Sequence, residues 1–148
     1  MKLIGFLLIL VYATGCVTMS DVVRSKERGK GTSKVYRLNA DEAWEVAKTV
    51  FRWEEAEAIE EHRSEGYMLT SIGESSISWG AIMGVWVEPV TKDRTRVTVV
   101  VKRKNPAEVL ITVTESIFHD DFEIAARLKA GRSFAPAPPA PQSLPAPP

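Results

Sequence analysis

Arg94-Thr95-Arg96-Val97-Thr98-Val99-Val100-Val101-Lys102-Arg103-Lys104 is the stretch on which the fold turns. It is rich in β-branched residues and alternates along its length, as a strand with two unlike faces does. Successive strand side chains point to opposite faces. Thr95, Val97, Val99 and Val101 therefore form one set, and Arg94, Arg96, Thr98, Val100, Lys102 and Lys104 form the other. The first set is the expected core face, and the second carries four positive charges.

Upstream, Thr91-Lys92-Asp93 reads as a turn and Trp79 to Val90 as the strand that enters it. A polar loop, Gly73 to Ser78, precedes that strand, and Tyr67 to Ile72 is another strand behind the turn Arg63-Ser64-Glu65-Gly66. The turn decides the segment before it. Ala58 to His62 has the composition either to close a helix or to start a strand, and a strand is expected. Downstream, Asn105-Pro106 breaks the chain, and Val109 to Val113 reads as a short final strand.

Two helices complete the pattern. Val35 to Leu38 is a short strand, after which Asn39 with Glu42 three residues on has capping-box spacing, and Leu38 can staple against Ala43. The helix runs from Ala40 to about Glu55, with Ala43, Trp44, Ala47, Val50 and Phe51 on one face. A second runs from about Thr114 to Ala130, with Ile117, Phe118, Phe122, Ala125 and Leu128 inward, Arg127 and Lys129 in its last turn and Gly131 at C′. The fold class is α+β: an antiparallel sheet of about five strands with two helices packed on one face, in the order β-α-β-β-β-β-α.

The chain has 148 residues, room for one domain, here residues 34–131. Its 19 basic and 19 acidic residues give no global pull towards nucleic acid or anionic lipid, and no nucleic-acid partner is expected. One cysteine excludes an internal disulfide.

That cysteine ends a distinctive segment. Lys2 supplies a positive charge, Leu3 to Val11 is almost purely apolar, and Tyr12 and the small residues Ala13-Thr14-Gly15 lead to Cys16. This is the order of a secretory signal peptide, and the apolar run is shorter than the ~20 residues of a membrane-spanning helix. Ala13-Thr14-Gly15-Cys16 resembles the lipobox of bacterial lipoproteins. The resemblance implies removal of residues 1–15, diacylglycerol on the Cys16 sulfur and acylation of the new amino group, hence a membrane as partner. Val17, where Asp commonly signals inner-membrane retention, points to the outer membrane, periplasmic face, in a Gram-negative host. The domain's arrangement is broadly similar to small lipoprotein domains of unknown function, and more distantly to the helix-grip domains of a lipoprotein subunit of the β-barrel assembly machine. No functional residue carries over from that likeness.

Residues 16–33 show no hydrophobic period and read as a flexible tether spanning about 20–25 Å. Residues 132–148 are a Pro/Ala tail, extended, and a disordered end rather than a ligand for a groove.

Within the domain, Gly80, Ile82, Gly84 and Trp86 share a strand face on which glycine marks close approach. They are the candidate groove, for an apolar ligand or simply for a packed helix; Trp44, Trp53 and Trp79 are further aromatic candidates, more ordinarily core. Arg94, Arg96, Lys102 and Lys104 are the candidate face for an anionic partner, with neutralisation by the acidic stretch Glu54–Glu61 on a neighbouring strand as the plainer account. His62 and His119 are the acid–base candidates. No HExxH or HxxxH spacing supports a metal, and neither a nucleophile motif nor a phosphate loop is present. No catalytic residue, metal or cofactor is expected. The expected function is a non-enzymatic envelope lipoprotein whose domain binds an envelope protein, with a carrier or sensor of a small lipid-like ligand as the alternative.

Overall fold

The computed structural model describes residues 17–73, 80–105 and 114–131. The signal segment, Cys16, Trp79, the Val109–Val113 strand and the Pro/Ala tail lie outside the described residues.

The elements are α1 (Met19–Glu27), β1 (Thr32–Tyr36), α2 (Ala40–Trp53), β2 (Ala56–His62), β3 (Tyr67–Ile72), β4 (Ala81–Thr91), β5 (Arg94–Arg103) and α3 (Glu115–Gly131). The strands form one antiparallel sheet ordered β1-β5-β4-β3-β2, so the fold is α+β as expected. β4 and β5 pair from Ala81↔Arg103 to Thr91↔Arg94, the longest ladder of the sheet.

β5 places its two sets on opposite faces as read, but the second face is not wholly solvated, because Thr98 and Val100 are buried too. Val97 and Val99 are fully buried, and together with Val101 they meet Met83, Val85 and Met68 of the neighbouring strands. Over that face lie α2, through Ala43, Trp44, Ala47, Val50 and Phe51, and α3, through Phe118, Phe122 and Ala125. The α2 cap is the expected capping box. The Glu42 backbone N–H donates to Asn39 Oδ1 at 2.8 Å, and the Asn39 N–H donates to the Glu42 carboxylate at 3.2 Å.

α3 is rotated from its expected orientation. Its buried side centres on Phe118 and Phe122 and takes in His119, leaving Ile117 and Ile124 exposed by 37% and 44%. At 100° per residue, position 117 lies more than a quarter-turn from a stripe centred between 118 and 122. The helix also continues through Gly131 rather than ending before it.

The larger difference concerns residues 16–33, expected as a flexible tether. Met19–Glu27 is a helix, and Thr32 and Ser33 already belong to β1. The Thr18 backbone N–H and hydroxyl donate to the Asp21 carboxylate at 2.8 and 3.0 Å, closing the first turn and holding that carboxyl below its usual range. α1 packs on the sheet face opposite α2 and α3, where Val22 joins Leu69, Ile82, Trp86 and Val100 in a second apolar cluster. Burying one valine fully stabilises by about 2 kcal/mol, and Val17, Met19 and Val23 add partial contacts. Both faces of the sheet are thus covered by helix. The apolar period escaped the sequence reading because it is only Met19, Val22 and Val23, completed by the buried Ser25.

Candidate functional site

The α1 face is organised around a single in-register row: His62↔Tyr67 across β2–β3, Tyr67↔Trp86 across β3–β4, Trp86↔Thr98 across β4–β5 and Thr98↔Ser33 across β5–β1. The three rings stack, with centroids 4.4 Å apart for His62–Tyr67 and 5.6 Å for Tyr67–Trp86. The row ends in a hydroxyl pair, Ser33–Thr98, at 2.8 Å. Lys26 of α1 lies over the Trp86 ring at 5.9 Å and reaches Glu88 at 3.5 Å.

The candidate groove lies on this face, and the chain fills it. Ile82 and Trp86 are buried, and a Cβ added at Gly84 would stand 2.7 Å from Val22 Cγ1. Glycine at 84 is what lets α1 approach. Gly80 precedes β4 with φ +81°, and a Cβ there would meet the Ile72 carbonyl at 2.5 Å, so it serves a chain bend. Trp44 and Trp53 belong to the opposite core and do not extend this face.

The four candidate cations divide. Arg94 and Arg96 lie at the turn end of β5, with Arg96 opposite Glu88; Lys102 and Lys104 lie at the other end, with Lys102 opposite Ile82. The expected neutralisation by Glu54–Glu61 does not occur across neighbouring strands, because β2 is the far edge of the sheet, with β4 and β3 between it and β5. Glu61 turns instead to α2, where it accepts from Lys48 at 2.7 Å and Trp44 Nε1 at 2.8 Å, which holds its carboxyl below the usual range. What joins the β5 cations is α1 and the residues after it, with Arg24, Lys26, Arg28 and Lys30.

At the turn end of the sheet an open cleft of about 370 Å³ lies between the start of α2, the 63–66 turn and the end of β4. Arg63 dominates it, stacked over Trp44 at 5.1 Å and paired with Asp41, with Glu45 at 4.0 Å. Glu65, Glu88 and Pro89 complete its wall.

The histidines stand at opposite edges of the sheet. His62 is on β2; His119, on α3, is fully buried against β1. His119 Nε2 lies 3.0 Å from the Thr32 carbonyl, which only accepts, so Nε2 carries the hydrogen and Nδ1 accepts from the Tyr36 hydroxyl at 2.7 Å. Burial holds His119 below its ordinary pKa and drives the Tyr36 hydroxyl well above its own. Between the helices, burial lifts the Glu54 carboxyl to about 7, aided by the Asp121 carboxyl beside it.

The chain matches no protein-family model and no curated protein.

Chemistry therefore rests on geometry alone. No three His, Cys, Asp or Glu side chains among the described residues are placed to hold a metal ion. The His119 ring is committed on both nitrogens. The cleft at Arg63 offers exposed, mutually paired charges and a carbon wall, a surface suited to recognition of a polar partner. Of its residues, sequence reading had singled out only Trp44, because the cleft is assembled from three separate elements. Arg24, Lys26, Arg28 and Lys30 lie in a segment whose composition reads as a tether.

Proposed function

We propose that this chain is a bacterial envelope lipoprotein, acylated on Cys16 and held at a membrane surface, whose α+β domain binds another envelope protein and catalyses no reaction. The observation that carries the reading is the sequence order of one cation, nine largely apolar residues and Ala13-Thr14-Gly15-Cys16. Two or three acyl chains at one residue give firm anchoring where one chain binds only marginally. Val17 after the cysteine favours the outer membrane of a Gram-negative host. No described helix is long and apolar enough to cross a membrane.

Partner binding is assigned to the Arg63 cleft. The groove alternative has lost its space, since Val22 occupies the position above Gly84. A photo-crosslinker at Ser64, beside Arg63, tests the assignment in living cells. The expected result is one discrete adduct with an envelope protein, lost in Arg63→Glu. Absence of any adduct from a folded, membrane-bound chain removes the assignment.

A further inference from the structure

We infer that the α1 face of the sheet lies against the anionic headgroups of the membrane that holds the chain. The inference rests on the lipoprotein reading of Cys16 and deepens it by giving the domain an orientation.

The direction of α1 is the first observation. Val22 sits at Gly84, while Lys26, one turn later, reaches Trp86 and Glu88. α1 therefore runs along β4 in the direction of that strand. Its N-terminus lies towards Ile82 and, across the ladder, Lys102. Met19 and Val17 are already packed against the apolar cluster there. Cys16 is three residues before the helix, a reach of at most about 10 Å. An acylated Cys16 thus brings the end of β5 and the flank of α1 to headgroup level.

Charge is the second observation. Residues 17–30 with Lys102 and Lys104 carry six basic side chains, Arg24, Lys26, Arg28, Lys30, Lys102 and Lys104, against two acidic, Asp21 and Glu27. The other described residues carry eleven basic and fifteen acidic. The neutral chain is polarised, positive where the anchor enters and negative elsewhere. Arg24, Arg28 and Lys30 are exposed. Asp21 lies 3.9 Å from Arg24 and Glu88 lies 3.5 Å from Lys26, and an excess of positive charge remains.

Distance decides whether the excess matters. At physiological salt a charge acts over about 8 Å. A floating domain on a long tether would average its charges out of that range, whereas α1 keeps them within it. Each basic residue beside an anionic surface strengthens association by about fivefold.

The test uses the full chain with its native anchor, reconstituted in vesicles. Acylation blocks Cys16, so Ser20→Cys on α1 or Ala130→Cys at the far end of α3 supplies the one reactive thiol for a fluorophore. Quenching by headgroup-labelled lipid is compared in phosphatidylcholine vesicles with and without phosphatidylglycerol. The expected result is several-fold more quenching at position 20 than at 130, a ratio that rises with phosphatidylglycerol. It should fall back in high salt and in Arg28→Glu/Lys30→Glu, with Lys104→Glu as an independent second variant; circular dichroism checks that each stays folded. A ratio indifferent to phosphatidylglycerol, salt and charge reversal overturns the inference, as it would if this face served an acidic protein instead. The mass of the Cys16 peptide separates the two failures. Acylated protein with an indifferent ratio sinks only the orientation; a free Cys16 thiol sinks the lipoprotein reading as well.

Discussion

Val22 of α1 occupies the space that a side chain on Gly84 of β4 would fill, its Cγ1 standing 2.7 Å from the position of that missing Cβ. The same Cβ would meet the Trp86 ring at 2.7 and 2.8 Å. One absent methyl group thus lets a nine-residue helix lie flat on the sheet and turns the segment after Cys16 into part of the domain.

Gly84→Val should therefore lift α1 off without dissolving the α2–α3 core on the other face. Overpacking of this kind costs about 1–3 kcal/mol. The variant should lose that much in urea denaturation, show a red-shifted Trp86 emission and exchange the α1 amides rapidly. Wild-type stability with α1 still protected would contradict the packing described.

What could be read from residues alone follows from where the periodicity was long. β5 alternates from Arg94 to Val99 before three valines run together, and β3, β5 and the Asn39–Glu42 cap fall where expected. α1 was missed because its apolar contacts number three or four and depend on a glycine more than fifty residues away. A signal was present all the same. Ala81 to Val87 is apolar throughout, and all seven residues are buried. An antiparallel strand with one wet face should alternate; a continuous apolar run calls for cover on both faces. His119 was legible as a titratable residue, but its burial depends on α3 turning towards Tyr36.

Tyr36→Phe tests that pairing. Removing the hydroxyl leaves His119 Nδ1 buried without a donor, at a cost of about 1–3 kcal/mol. Because Tyr36 also packs on Phe122 with centroids 4.4 Å apart, the phenyl ring keeps the apolar contact and isolates the lost hydrogen bond. Chemical denaturation near neutral pH measures the loss. An unchanged midpoint would show that the hydroxyl does not satisfy the ring.

Glu54 and His119 pull stability in opposite directions with pH. Glu54 titrates near 7 in the folded chain against an ordinary 4.5, so its contribution is full below 4.5 and lost as pH rises through about 7. His119 is lowered from 6.5, so its contribution is present above 6.5 and lost as pH falls through its folded value. In Glu54→Gln only the first effect disappears. The variant should gain on the wild type progressively from pH 4.5 to about 7 and keep that advantage above it. A difference constant over the whole range would mean that Glu54 is not held protonated beside Asp121.

Attachment through Cys16 is the part of the proposed function on which the rest depends. Mass spectrometry of the protein purified from membranes decides it. The expected mature chain begins at Cys16 with diacylglycerol on its sulfur, and Cys16→Ser accumulates as an unacylated precursor that retains residues 1–15. A wild-type chain that keeps Met1 to Gly15 and a free Cys16 thiol would contradict the claim.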